Sequence, residues 1–393
     1  LEQFISETTG IMRKMKSDRF LFIIEERHIA KIIEQRVKIL DKAREIIIKD
    51  RHTVTLSIGI GRTGKTLLES EQFARQALDM AQGRGGDQAA VKTETGYEFY
   101  GGVSKGIERQ TKVKTRIIAS AIKELIDASA NVYIMGHKFG DLDSVGSAIG
   151  MAATVERLGK PAKIVVDYGK NLAQAVLDKI VASRGNDLFV SPAEVRGRAT
   201  DDDLLIIVDT HNPEILEDKD FYKSCKRVVV IDHHRKMVSH IDNALIFYHE
   251  PYSSSASEMV TELVQYYGDA GKLSPLEAES LLAGITLDTK NFVMRTGVRT
   301  FEAAAYLRKM GADTIAVREL FAGSIESYQR KTKLVSTAEI YRKCAIAACD
   351  FNSDDLRVVA PQAADELLGI SGVAASFALY KTATGKASIS EIG

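Results

Sequence analysis

The stretch GHKFGDLDSVGS (Gly136–Ser147) brings His137, Asp141 and Asp143 close together in sequence. Further on come Asp209 in VDTH, the triplet Asp232-His233-His234, and Asp288 in LDT. Imidazole nitrogen with carboxylate oxygen, and no thiolate, suits Mn²⁺, Fe²⁺, Co²⁺ or Mg²⁺ better than a structural zinc. So many acids are too much negative charge to bury unpaired. Two divalent cations would neutralise it, hold a bridging hydroxide, and clamp the attacking and leaving oxygens of a phosphoryl group. The chemistry indicated is metal-assisted phosphoester hydrolysis. Each motif alone is weak: an Asp-x-Asp is most often a turn or a helix N-cap, and paired histidines can be satisfied in a core.

Their placement on the expected elements makes the case. From Asn131 short apolar runs alternate with helical patterns: NVYIM, AKIVV, LLIIV (Leu204–Val208) and RVVVI (Arg227–Ile231). Such runs mark a parallel sheet covered on both faces. His137, Asp141 and Asp143 follow the first run, Asp209 the third, and the Asp-His-His triplet the fourth. Asp288 follows a buried helix that begins near Pro275. In an open α/β sheet the ligand crevice lies outside the carboxyl ends of the strands, where all the strand-borne groups fall.

Ser255-x-x-Glu258 and Ser274-Pro-Leu-Glu277 read as capping boxes. Ser255, in SSSASE, offers a hydroxyl and backbone amides to a phosphate, or merely caps a helix. Arg295 and Arg299 could pair bidentately with phosphate, or lie on the surface. His211 stands near the metals or sits in a turn.

The rest of the chain sets bounds. Its 393 residues predict two or three domains. Basic and acidic residues balance at 53 each, which argues against a partner as charged as long nucleic acid. Three cysteines without a C-x-x-C pair predict reduced cytosol and no structural zinc. No apolar run approaches the ~20 residues of a membrane span. The first hundred residues read as an α/β unit: a strand at RFLFIIEE, a helix from about Ile29 to Ile48, a strand at TVTLSIGIG, and a helix over Leu67–Gln82 before GRGGD. Mixed-charge helices are expected at Arg109–Ser129 and about Ser324–Ser336. Strands are expected at CAIAAC and FALYK.

The series His137-x-x-x-Asp141-x-Asp143, Asp209, Asp232-His233-His234 and Asp288 resembles the DHH phosphoesterase superfamily. MKSDRF (Met15–Phe20) stands where a GGDEF diguanylate cyclase carries its signature, with Lys16-Ser17 for the glycine pair and Arg19 for the acid. The first unit therefore resembles a degenerate GGDEF domain without cyclase activity. Together these resemble the GdpP (YybT) family of membrane-anchored cyclic di-AMP phosphodiesterases.

That resemblance implies an α/β chain. It comprises a degenerate GGDEF-like domain (1–105), a linker helix (106–130), and a DHH domain with a helix-covered parallel sheet (131–322). A second linker helix (323–337) and a smaller DHH-associated α/β domain (338–393) follow. The family's Gly-Gly-Gly-His grip motif does not occur in this sequence. The resemblance further implies two divalent ions, Mn²⁺ being expected. His137, Asp141 and Asp209 would hold one; Asp143, Asp209, His233 and Asp288 the other. Asp209, His233 and His234 would carry catalysis. His234, Arg295 and Ser255 would meet the substrate, and Asp232 would orient the histidines. Cyclic di-AMP would be opened to linear 5′-pApA. A homodimer is expected, at the cytoplasmic face of a bacterial membrane, with an anchor and a PAS sensor ahead of Leu1. The alternatives are a DHH-type exonuclease or oligonucleotide hydrolase, and a non-catalytic nucleotide receptor.

Overall fold

Six short apolar runs pair into one sheet in the computed structural model: β1 (Val132–Met135), β2 (Ala162–Val165), β3 (Phe189–Val190), β4 (Leu204–Val208), β5 (Arg227–Asp232) and β6 (Ile246–His249). The structure describes residues 2–392 apart from 7, 17, 49–51, 63, 85, 94–95, 102–111, 238, 323, 350–355 and 382–386. The chain is α/β and divides into two compact units, 1–317 and 318–393.

Strand order is β3-β2-β1-β4-β5-β6, and every neighbouring pair is parallel. Leu204 through Val208 are all fully buried, as an unbroken apolar run requires when both faces are covered. The chain runs outward from β1 to β3, then crosses back to β4. The order therefore reverses between β1 and β4, where a crevice opens at the carboxyl ends.

Five helices matter to the site: α1 (Lys112–Asp127), α2 (Leu142–Arg157), α3 (Ala256–Val264), α4 (Pro275–Asp288) and α5 (Val298–Lys309). α1 docks by Ala119, Ile122 and Ile126, all fully buried, and pairs Lys114 with Glu250 just after β6. The start expected for it at residue 109 lies outside the described residues. α2 is buried continuously from Leu142 to Val155, with α3 and α4 packed against it.

Small residues permit that packing. A Cβ on Gly146 would lie 2.3 Å from the Ser280 carbonyl oxygen, and one on Gly284 only 2.7 Å from Asp143 Oδ1. Gly284→Ala should therefore cost about 1–3 kcal/mol by overpacking. A lower Tm would register it.

In the N-terminal region, Ile11–Lys14 and Phe20–Ile23 form an antiparallel hairpin, with Met15, Lys16 and Arg19 of the MKSDRF stretch between its strands; residue 17 of that stretch lies outside the described residues. The helix expected over 29–48 is instead two, Glu26–Glu34 and Ile39–Arg44. Arg36 and Val37 take positive φ (54° and 55°) between them, and the turn carries Val37 into a core with Leu40 and Ala89. The strand expected over Thr53–Gly61 shortens to Ile58–Gly61, preceded by a two-residue strand, His52–Thr53.

The second unit carries a four-stranded sheet of Glu339–Tyr341, Cys344–Ala348, Ala375–Lys381 and Ala387–Ile392. The helix read as a linker, Ile325–Ser336, packs into this unit: Leu334 shares a core with Ala345, Ala363 and Ala378.

Candidate metal centre and active site

Asp209 is the first residue after β4 and takes φ 60°, a left-handed conformation that aspartate tolerates better than most residues. Its two carboxylate oxygens face different neighbours. Oδ2 lies 3.4 Å from His137 Nε2, and Oδ1 lies 3.3 Å from His233 Nε2.

On the first side, His137 Nδ1–H donates to the Lys138 carbonyl at 2.9 Å, leaving Nε2 as the nitrogen turned to the acids. Asp141 N-caps α2, its Oδ1 accepting the amides of Asp143 and Ser144 at 3.0 Å each. It still stands 3.9 Å from His137 Nε2. Cap and candidate ligand are thus the same side chain.

On the second side, His233 Nε2 lies 3.2 Å from Asp288 Oδ2, at the end of α4, and 3.8 Å from Asp143 Oδ2. Asp143 is held by the first amides of α3: Ala256 N–H donates to Oδ2 at 2.7 Å and Ser257 N–H to Oδ1 at 2.8 Å. A helix N-terminus favours such a buried anion. His234 is half exposed and donates from Nδ1 to Asp232 Oδ1 at 2.9 Å.

Burial and mutual repulsion strain this crowd. Burial, then Asp209 and Asp288, push the Asp143 carboxyl well above the carboxylate range. Burial pushes Asp288 up to about 6, with Asp209 adding to it and His233 opposing. Burial also works against a charge on His137 and on His233, yet the Asp209 carboxylate and its acidic neighbours hold both at about 10. Asp209 stays low despite burial, through His137 and His233.

Divalent cations fit this donor set. Asp209 Oδ1 and His233 Nε2 are buried atoms that find no hydrogen-bond partner among the described residues, which is costly unless something else satisfies them. His137, Asp141 and Asp209 offer ligand atoms within 4.8 Å of one another, and so do Asp143, His233 and Asp288.

The other expected groups fare differently. Ser255 is fully buried, and its hydroxyl accepts the Glu258 amide at 3.0 Å. It caps α3, and the amides at the helix start are taken by Asp143, not left open to a phosphate. The reciprocal half of that capping box is replaced: Glu258 receives the hydroxyls of Ser253, Ser254 and Thr300. Arg299 forms a two-pronged ion pair with Glu262. Arg295 is exposed in the loop after Asp288, with φ 53°. His249, at the end of β6, went unread in the sequence. It donates from Nε2 to the His234 carbonyl. The strand-end rule that found Asp209 would have found it too, had β6 been recognised.

The sheet and the residues at its rim define a DHH-type domain. Residues 131–285 match the DHH family, N-terminal domain, and residues 1–99 match the GGDEF domain of cyclic-di-AMP phosphodiesterase GdpP-like proteins. The chain is 42% identical over 397 residues to cyclic-di-AMP phosphodiesterase GdpP of Geobacillus thermodenitrificans, covering 99% of this chain and 60% of the relative. It is 38% identical over 373 residues to cyclic-di-AMP phosphodiesterase PdeA of Listeria monocytogenes, covering 94% of this chain and 57% of that protein. An exopolyphosphatase-related protein of Bacteroides fragilis shares the fold, with a TM-score of 0.60 at 19% identity over 72% of this chain and 86% of that one. The chain belongs to the DHH family, in the branch that carries a GdpP-like GGDEF domain ahead of it. It spans 57–60% of the length of these curated relatives.

Proposed function

We propose that this chain is the catalytic part of a metal-dependent phosphodiesterase that hydrolyses cyclic di-AMP to linear 5′-pApA. The observation that carries the reading is Asp209, whose two oxygens face His137 and His233 at 3.4 and 3.3 Å and so join two donor clusters. On this reading His137, Asp141 and Asp209 hold one ion, and Asp143, Asp209, His233 and Asp288 the other. Mn²⁺ is the expected metal. When bound, such a pair supplies a nucleophilic water at neutral pH and neutralises charge on the phosphoryl oxygens.

The chain's own groups do the rest. Asp232 accepts from His234 Nδ1–H and so orients the ring; with Nε2 protonated as well, as the imidazolium, His234 would donate to the scissile phosphate or protonate the leaving oxygen. Arg295, exposed beyond Asp288, would pair with a substrate phosphate. Water oxygen bonds to one phosphorus, the bond from that phosphorus to the 3′-oxygen breaks, and the proton ends on the 3′-hydroxyl. The curated relatives' names support the substrate class.

The test is product identification with purified protein and Mn²⁺. Conversion of cyclic di-AMP to 5′-pApA is expected. Faster cleavage of short linear RNA would replace this reading with an oligonucleotide hydrolase. Tight binding without turnover would replace it with a receptor.

A further inference from the structure

His211 is fully buried two residues beyond Asp209, and it is hydrogen-bonded to Asp232, Met237 and Ile241, in and beyond the Asp-His-His triplet. The Met237 amide donates to its Nε2 at 2.9 Å. The Ile241 amide donates to its carbonyl at 2.9 Å. A nitrogen that receives an N–H must present its lone pair, so the ring proton resides on Nδ1. That proton is donated to Asp232 Oδ2. Asp232 is itself fully buried, and its other oxygen takes His234 Nδ1–H at 2.9 Å and the His234 amide at 3.2 Å.

His211, Asp232 and His249 also cluster closely enough to suggest a third cation. His211 has no ring nitrogen left to offer one. Both ring nitrogens of His211 are engaged, and His249 Nε2 donates to the His234 carbonyl. The cluster is a hydrogen-bonded frame around His234, with the His211 and His249 rings edge-on at 5.5 Å.

We infer that His211 is a positioning residue for His234: it holds Asp232, Met237 and Ile241 in place so that His234 keeps a proton on Nδ1 and presents Nε2 to the cleft. Without it, Asp232 would have one oxygen buried and unpaired, free to rotate and draw the ring away. The inference goes beyond the metal ligands and rests on the proposed function only for its kinetic consequence.

Three readouts on the full chain test it. His211→Phe keeps the ring volume and removes both hydrogen bonds. His211→Asn restores a donor toward Asp232. Outer partners of this kind are worth about 10–100-fold, so His211→Phe should lower kcat for cyclic di-AMP by that factor. KM and the Mn²⁺ dependence should stay within about twofold, and His211→Asn should recover most of the loss. Independently, ¹⁵N-histidine NMR of the protein with Mg²⁺, recorded at alkaline pH where the ring is neutral, should show the remaining His234 proton on Nδ1 in the parent and shared between the two nitrogens in His211→Phe. An unchanged kcat, an equal loss in both variants, or a loss carried by KM or metal affinity would overturn the inference. A parent inactive on cyclic di-AMP would instead count against the proposed function, and the tautomer would still decide the role of His211.

Discussion

Asp209→Asn is expected to lose two to three orders of magnitude in turnover while the chain remains folded. Asparagine keeps the shape and removes the charge that both clusters share. Oδ2 faces His137 and Oδ1 faces His233, so a single substitution weakens both candidate ion sites. Loss of one well-placed electrostatic group costs about 10²–10³-fold in other active sites, and here the group serves twice. The comparison that isolates the shared role is with Asp141→Asn and Asp288→Asn, each of which lies in one cluster only. Those variants should retain one tightly held ion per chain after dialysis, whereas Asp209→Asn should retain less than one. Elemental analysis reads this directly. Should Asp209→Asn keep near-parental turnover with a full metal complement, the bridging role fails, and with it the reading of the site as one centre.

The strand-borne half of this centre was legible because its logic is one-dimensional. An unbroken apolar run predicts a buried parallel strand, and the residue after it must stand at the carboxyl rim; β1, β4 and β5 with His137, Asp209 and Asp232–His234 follow from that alone. The helical half was less open. Asp288 was reachable because α4 starts with a clear capping box and continues to that residue, buried as far as Ile285. The clamp on Asp143 was not, since its partners are backbone amides of Ala256 and Ser257, which carry no side-chain signature. The same holds for Ser255. In sequence, a serine before an acidic helix turn looks alike whether it meets a ligand or a buried carboxylate already holds the helix start. Glu258 shows the limit most sharply. Its spacing from Ser255 predicts a local reciprocal cap, but its carboxylate instead gathers hydroxyls from its own loop and from Thr300 at the start of α5. Long-range pairing of that kind leaves no period in the chain. In the N-terminal region a periodic pattern over 29–48 missed a break, because Val37 enters the core through a left-handed turn that propensity disfavours.

Removal of divalent metal should abolish turnover and lower stability together, and the two effects have one origin. Asp143, Asp209 and His233 are all but fully buried within one pocket, with Asp288 at its edge. Cations that bind this cluster bind the folded chain and not the dispersed ligands of the unfolded one. Mass action then adds about 2.7 kcal/mol when the free ion stands at 100 times its dissociation constant. That figure is for one ion; for a unit spanning residues 1–317, about 2.1 cal/mol/K of unfolding entropy per residue converts it to a rise in Tm of roughly 4 °C per ion, or about 8 °C for two. Scanning calorimetry of chelated and Mn²⁺-loaded protein measures the rise, and readdition of Mn²⁺ to the chelated sample should restore turnover. Asp209→Asn supplies the control, since its Tm should respond only weakly to Mn²⁺. Stabilisation without restored turnover would make the cations structural. Turnover that survives thorough chelation would mean that the acids at the rim of β1, β4 and β5 work without metal, and their crowding would then need a different compensating charge.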